Sequence, residues 1–201
     1  METQYEKIVQ AANSLFLQFG IRSVSVDDVC AELHMSKKTF YVHFAQKEDL
    51  VDVVLTYQEN INLEKFNKLF KKTNAIDSLI IFIKELKKEL EKESPPLCYD
   101  LEKYYPKVFE KHELIKNEEM RQGFEKNLRQ GITEGFYRND LDIELISLFH
   151  SMQIRQTFEQ MKLSSKKYSK KRLVDFFFDL MIHLIANENG LKYMEKYAKL
   201  E

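Results

Sequence analysis

Glycine and proline are scarce in this chain. Its 201 residues include five glycines and three prolines, and two of the prolines, Pro95 and Pro96, are adjacent. Because these two residue types are the main interruptions of regular helices, their scarcity favours a chain that is helical throughout. The length is sufficient for one large domain or two small ones with a buried core.

Long apolar runs are missing as well. The chain contains no stretch of about 18 consecutive apolar residues, which a membrane-spanning helix would need. Its amino-terminal segment, METQYEKIVQ, lacks the basic start and apolar centre of a secretory signal. We therefore expect a protein without a membrane segment that works in the cytoplasm.

Cysteine is rare too. Cys30 and Cys98 are the two cysteines, and they lie too far apart to match a metal-binding spacing. Free thiols of this kind are typical of a reducing compartment, and we expect both to be buried and inert.

The histidines form no catalytic or metal-binding pattern in the sequence. His112, His150 and His183 lack a convincing nucleophile or metal partner. The segment HELIKNEE, residues 112–119, groups His and Glu only loosely, and we expect it on a solvated helix face. The sequence therefore predicts no catalytic residue, no metal site and no cofactor.

Positive charge is confined to one short part of the amino-terminal region. The whole chain has a net charge of −1, which excludes a protein coated in basic residues. Between Glu32 and Glu48 there is no acidic residue, whereas Lys37, Lys38 and Lys47 all lie there. This acid-free window is the part of the sequence most suited to a polyanion.

Three short helices are predicted at the start of the chain. The first has apolar residues at spacings of three and four and ends at Gly20. Ser25 then begins a second helix with a capping box, and Ser36 caps a third. On the third helix Phe40 and Phe44 are one turn apart and point inward together. Three such helices with a tight turn between the last two form a helix-turn-helix unit.

The remainder of the chain also reads as helices. A long helix is predicted from about Glu48 to about Lys71, roughly 35 Å in length, which can connect a small head to a separate body. Pro106 is a predicted kink or helix start. The further helices are predicted at residues 78–93, 97–115, 117–137, 142–163 and 169–188.

The last of these helices carries three successive phenylalanines, Phe176, Phe177 and Phe178. They spread over roughly 200° of the helix surface, more than one core can cover on a surface helix. Either the helix is central in its own domain, or another subunit covers one flank. We favour a homodimer in which residues 142–163 and 169–188 form a two-fold four-helix bundle.

A family resemblance rests on the segment IVQAANSLFLQFGIRSVSVDDVCAELHMSKKTFYVHFAQKEDLVDVVL. It contains a helix ending in Phe-Gly, a Ser-Val-x-x-Val start to the second helix, and Ser-Lys-x-Thr-Phe-Tyr-x-His-Phe in the third. A Lys-Glu-x-Leu start to the fourth helix follows. In all of these features the segment resembles the DNA-binding domain of the TetR family. Lys38 is a departure, because that family often has Gly there, and it leaves the base preference of this chain open.

The resemblance implies an all-α fold with two parts. Residues 1–48 would be the helix-turn-helix DNA-binding domain, with a long helix from about 48 as connector, and residues 49–201 a larger helical regulatory and dimerisation domain. The partner would be double-stranded DNA with a palindromic operator. The residues expected to face DNA are Ser25, Ser36, Lys37, Lys38, Thr39, Tyr41, Val42, His43 and Lys47.

Each of these residue types suits contact with DNA. Lys37 and Lys38 can reach guanine edges or phosphates from the first turn of a helix in the major groove. Hydroxyl and imidazole groups can donate to phosphate oxygens, and Val42 can contact a thymine methyl group. Lys47 would place a cation beside the start of the next helix. From spacing alone, a helix with an ordinary polar outer face explains the same residues.

The resemblance also implies a small-molecule effector, and the composition of the body suits an apolar one. The residues that could line its pocket are Phe82, Tyr104, Tyr105, Phe124, Phe149, Met152 and Gln153. The expected function is therefore a homodimeric transcriptional repressor that an effector releases from its operator. The alternative is a helical adaptor that binds another protein through its apolar C-terminal helices and does not bind DNA.

Overall fold

The computed structural model describes residues 3–69, 72–91, 96–163 and 169–198. In these ranges the chain forms α1 (Gln4–Phe19), α2 (Val26–Glu32), α3 (Lys37–His43), α4 (Lys47–Leu69), α5 (Ala75–Glu91), α6 (Pro96–Tyr104), α7 (Pro106–Thr133), α8 (Ile143–Leu163), α9 (Lys170–Ile185) and α10 (Glu188–Ala198). The described ranges contain no β-strand, only an isolated bridge between Tyr137 and Ala186. The predicted all-α fold is confirmed. None of these helices is long and apolar enough to cross a membrane.

The predicted helix end at Gly20 and the predicted helix caps at Ser25 and Ser36 are confirmed. Gly20 terminates α1 with a φ of 80°, and its N–H donates to the carbonyl of Phe16. Ser25 caps α2 in a complete capping box in which Asp28 takes the place of the usual Glu or Gln. Ser36 caps α3 by accepting from the backbone N–H of Thr39. These caps satisfy helix-end groups that would otherwise lack partners.

Phe40 and Phe44 hold α3 onto the core of the amino-terminal region. Both side chains are buried, and their ring centroids are 5.6 Å apart. The shared core consists of Ile8, Val9, Ala12, Phe16, Ile21, Val24, Val29, Cys30, Phe40, Phe44, Leu50, Val51, Val54, Leu101 and Val108. Cys30 is buried as predicted, and burial raises the pKa of its thiol. The side chain of Cys98 lies outside what the structure describes.

The chain divides into two compact units. The first unit consists of Met1–Asn67 and Glu93–Ile115, and the second of Lys68–Lys92 and Lys116–Glu201. The buried residues of the second unit are Ala75, Ile76, Phe124, Leu128, Tyr137, Met181, Ile182, Ile185 and Ala186. The predicted functional division near residue 48 stays a prediction.

Helices α6 and α7 differ from the predicted 97–115 and 117–137. The break falls at Tyr105, and Pro106 begins a helix that continues without interruption to Thr133. Pro106 fits there because the first turn of a helix needs no N–H from its first residue. The predicted break at residue 116 is wrong because residues 113–119 contain neither Gly nor Pro. The separate α10 was also missed, and the predicted end of α4 at Lys71 lies outside the described residues.

His112 corrects a second expectation, because it lies on a buried face of α7 rather than a solvated one. Its side chain is 7% exposed, with Nδ1 2.8 Å from Glu59 Oε1 and Nε2 2.7 Å from Asp52 Oδ1. Both carboxylates lie on α4, so the imidazole fastens α7 to that helix. Burial works against ionisation of Asp52, yet hydrogen bonds from Lys111 and His112 leave its pKa below the ordinary value.

A tight packing contact closes the end of α7 in the second unit. The ring of Tyr137 lies directly over Gly131, where an added Cβ would come within 2.1 Å of the ring. Tyr137 is buried, and its hydroxyl donates to Asn127 Oδ1 over 3.0 Å. At Gly123, on the same helix, an added Cβ would meet no atom within 4 Å.

Gly131→Ala is therefore expected to lower the free energy of unfolding by about 1–3 kcal/mol, because the methyl group must displace Tyr137. Gly123→Ala is the matched control, and it should instead add about 0.5–1 kcal/mol through helix propensity. Urea unfolding followed by circular dichroism measures both. Equal effects of the two substitutions would contradict the close packing at Gly131.

Candidate nucleic-acid interface

The outer face of α3 is polar, basic and open to solvent. Lys37, Lys38, Tyr41, Val42 and His43 are all exposed, and Val42 is 74% exposed. An apolar side chain so exposed in the middle of a basic helix is available for contact with another surface. The exposed face of α3 lies opposite the face that carries the two buried phenylalanines, Phe40 and Phe44.

The two hydroxyl groups at the start of α3 are already oriented. Ser36 Oγ accepts from the backbone N–H of Thr39 over 3.2 Å and lies 3.0 Å from Thr39 Oγ1. Each hydroxyl retains further hydrogen-bonding capacity, so both can engage a phosphate without leaving the cap. The cap therefore both begins the helix and fixes these groups at its N-terminus, where anions are favoured.

Lys37 and Lys38 differ in their surroundings. Lys37 Nζ lies 2.7 Å from Asp27 Oδ1, and both side chains are about 60% exposed, at 59% and 60%. The hydrogen bond that Lys37 donates to Asp27 raises the pKa of Lys37. Such an exposed pair contributes at most about 1 kcal/mol, so Lys37 can exchange Asp27 for another anion. Lys38 forms no ion pair within the described residues and is the freer cation.

Tyr5 supports the far end of α3. Its ring stacks on Phe44 at a centroid distance of 5.1 Å and meets His43 edge-on at 6.2 Å. His43 is therefore held against α1 by aromatic contacts while its polar ring stays exposed.

Ser25 and Lys47 are occupied by contacts within the protein. The backbone N–H and hydroxyl of Ser25 each lie 2.7 Å from Asp28 Oδ2, and these bonds lower the pKa of Asp28. Lys47 Nζ donates to the carbonyl of Ile21 and is half-buried, and desolvation lowers its pKa. A phosphate contact by Lys47 stays a prediction, and it requires the ammonium group to turn away from Ile21.

The turn between α1 and α2 is also fastened to α6, a contact that could not be predicted from local patterns. The backbone N–H of Arg22 donates to Asp100 Oδ2 over 2.8 Å, and its guanidinium hydrogen-bonds to the hydroxyl of Tyr104. The guanidinium carbon also lies 4.7 Å from the centre of the Tyr104 ring. Residues so distant in sequence carry no shared motif, so only the fold reveals the contact.

The second unit contains an apolar cavity of about 50 Å³. Its lining comes from four helices and consists of Leu79, Phe82, Ile83, Leu86, Phe124, His150, Ile154, Thr157, Val174, Phe177, Phe178 and Met181. This volume is well below the roughly 300 Å³ of an ordinary small-molecule site, so a ligand would have to displace some of these side chains.

The residues predicted for an effector pocket are distributed over both units. Phe82 and Phe124 line the cavity, whereas Phe149 and Met152 are exposed and Gln153, half-buried, is not part of the lining. The remaining two, Tyr104 and Tyr105, belong to the first unit. A role in effector binding stays a prediction for all seven.

His150 is the main polar group of this cavity. Its ring stacks on Phe124 with centroids 3.8 Å apart and on Phe177 with centroids 5.5 Å apart. Burial lowers its pKa to about 4, so the ring is neutral near pH 7. The α8 pattern of Ser147, His150 and Ile154, at spacings of three and four, was the sequence signal for this inward face.

Known proteins are similar to this chain in sequence and in fold. Residues 8–54 match the model described as "Bacterial regulatory proteins, tetR family". The HTH-type transcriptional repressor KstR2 of Mycobacterium tuberculosis is 24% identical over 147 residues, 71% of this chain and 74% of that protein. The regulator UidR of Escherichia coli is 26% identical over 83 residues, 41% of this chain and 42% of that protein.

A solved transcriptional regulator from Cytophaga hutchinsonii has the same fold, with a TM-score of 0.70 at 18% identity, covering 92% of this chain and all of that one (100%). The exposed basic helix, the fold and these relatives define a DNA-binding transcriptional regulator rather than an enzyme. Residues 8–54 of the chain are similar to the DNA-binding domain of the TetR family of bacterial regulatory proteins. The adaptor alternative, which required no DNA binding, loses its support.

The neutral state of His150 makes the stability of the protein depend on pH. In the unfolded chain His150 takes up a proton near pH 6.5, whereas in the folded protein it does so only near pH 4. The folded protein therefore loses stability relative to the unfolded chain as the pH falls from 6.5 to 4. Between pH 7.5 and 5 we expect wild type to lose about 1–2 kcal/mol more than His150→Phe. Urea unfolding at one protein concentration measures the difference, and equal losses would contradict a buried neutral ring.

Proposed function

We propose that this protein is a homodimeric repressor that binds a palindromic operator in the cytoplasm and is released from it by a small-molecule effector. The observation that carries the proposal is the division of α3 into a buried aromatic face and an exposed basic one. The proposed functional division has residues 1–48 bind DNA, while residues 49–201 form the dimer and receive the effector.

In this proposal α3 enters the major groove with its first turn toward the bases. Lys37 and Lys38 contact guanine edges or phosphates, and Val42 contacts a thymine methyl group. The hydroxyls of Ser36 and Thr39, with Tyr41 and His43 at the flank, bind the phosphate backbone and set the register of the helix. Lys37 must exchange its ion pair with Asp27 when it binds DNA.

The DNA contacts are tested with alanine substitutions and fluorescence anisotropy on the DNA upstream of the protein's own gene. Lys37→Ala and Lys38→Ala should each weaken specific binding roughly tenfold or more, because each removes a base or phosphate contact. Lys47→Ala should weaken all sequences alike and reduce the salt slope by about 1 if Lys47 contacts a phosphate.

Lys126→Ala is the matched control, since Lys126 is an exposed lysine of the second unit and the change in net charge is the same. It should leave operator affinity and the salt slope close to those of wild type. If Lys37→Ala and Lys38→Ala bind the operator as the control does, the assignment of α3 is wrong.

The dimer surface is supported by two apolar stripes that the second unit leaves exposed. On α8 the exposed side chains lie three and four residues apart, and on α9 four residues apart, so each set occupies one helix face. The stripes consist of Leu145, Leu148, Phe149 and Met152 on α8 and Phe176, Leu180 and Leu184 on α9, with exposures from 38% to 63%.

The phenylalanine run on α9 is divided between the two surfaces. Phe177 and Phe178 line the internal cavity, whereas Phe176 is 63% exposed. Contiguous exposed apolar surface of this kind is rare on monomers and marks an interface. In a two-fold dimer the same stripes of both subunits pack against each other as a four-helix bundle.

Phe176→Glu is expected to convert the dimer to a monomer at micromolar concentration, because it buries a charge within the apolar surface. Light scattering measures the change. Leu114→Glu, at a leucine of α7 that is 72% exposed and lies outside the stripes, should leave the dimer intact. A wild-type monomer, or a dimer insensitive to Phe176→Glu, would exclude this interface.

Effector release is proposed to be a shift between two populations of the dimer. In one population the two DNA-binding helices are about 34 Å apart, so that they reach successive major grooves. In the other population their spacing does not match the grooves. An effector that enlarges the cavity favours the second population only if it binds that form more tightly. The contacts of Arg22 with Asp100 and Tyr104 provide a path within the first unit, because they fasten α6 to the turn before α2.

A further inference from the structure

One of the residues that line the cavity of the second unit has a polar atom without a hydrogen-bond partner among the described residues. His150 Nδ1 is buried and bonds to no group in the described part of the chain. Leaving a buried nitrogen unpaired costs stability, so a retained orphan group of this kind points to a partner from outside the chain.

The position of the imidazole is fixed by its neighbours. The ring is stacked at 25° on both Phe124 and Phe177, with centroid distances of 3.8 Å and 5.5 Å. A ring stacked on two aromatic side chains has less freedom to turn than an isolated one. The hydrogen-bonding direction of Nδ1 is therefore set before any ligand arrives, which reduces the ordering cost of binding.

A second orphan group lies one turn before His150 on the same face of α8. Ser147 is fully buried at 0% exposure, and its Oγ has no hydrogen-bond partner among the described residues. Residues three apart lie on one helix face, so two unpaired polar groups adjoin the same interior region. Most buried polar atoms are paired, so two unpaired ones within one turn of a helix are unusual.

The rest of the lining excludes charged ligands. Apart from His150 and Thr157, its residues are aliphatic, aromatic or methionine, and none carries a charge. An ion that entered this cavity would lose its hydration without gaining an ionic partner. Because burial keeps His150 neutral near pH 7, the histidine offers no charge either.

We propose that this cavity binds an uncharged, largely apolar molecule bearing a hydroxyl group, and that His150 Nδ1 forms the hydrogen bond that positions this hydroxyl. A hydroxyl group both donates and accepts, so it pairs with Nδ1 in either tautomer of the imidazole. The adaptable side chain of Met181 and the half-buried Phe177 and Phe178 move to admit the apolar part. The inference rests on the proposed function, since it names the chemical class of the effector.

The test is isothermal titration of the full-length protein at pH 7.5 with 1-octanol and 1-decanol, alongside octanoate and octylammonium. We expect the alcohols to bind more tightly than either ion of matched length. His150→Phe keeps the aromatic stack but removes Nδ1, and it should weaken alcohol binding roughly three- to tenfold. Thr157→Val, the control at the other polar lining residue, should change it less than about twofold.

Three outcomes would overturn the proposal: no binding of either alcohol to wild type, tighter binding of an ion than of the alcohols, or equal alcohol affinity of wild type and His150→Phe. Operator binding of the same three proteins is measured without alcohol. A wild-type protein that does not bind DNA defeats the proposed repressor function, whereas the titrations still decide the chemistry of the cavity.

Discussion

Burial of Phe40 and Phe44 is the constraint on which the account of this protein depends. The two rings share one side of α3 and join the core of the first unit, so the residues between them have only the opposite side to occupy. A helix of seven residues has too few turns to be stable alone, and its orientation is set by what it buries. The basic and hydrogen-bonding side chains face outward for this reason, and not because of any attraction among themselves.

In the second unit, α9 likewise has one side that faces the interior and another that is exposed. Successive phenylalanines on a helix must point in different directions, and here Phe177 and Phe178 line a cavity while Phe176 is exposed. One helix thus borders both the proposed effector site and the proposed dimer surface. A ligand that displaces the cavity walls would act directly on the helix that carries the proposed dimer surface, which would give effector binding a short route to the geometry of the proposed dimer.

Much of the first unit could be predicted from the sequence because its signals are local. Ser25, Ser36 and Gly20 each act within one helical turn, and helix ends depend on such short-range hydrogen bonds. Contacts between distant segments left no such signal. The pairing of His112 with two carboxylates of α4 depends on which side of α7 faces α4, and the spacing of apolar residues did not reveal this. On α8 the inward face carries His150, whereas the predicted pocket included its neighbour Phe149, which is exposed.

The central claim is that two copies of α3 bind successive major grooves on one face of the DNA. Hydroxyl-radical footprinting of the full-length protein on the DNA upstream of its own gene tests this claim most directly. We expect two protected patches related by two-fold symmetry, with their centres about one helical turn, 10–10.5 base pairs, or a multiple of it apart. A single unsymmetrical patch, or uniform protection without a preferred position, would contradict it.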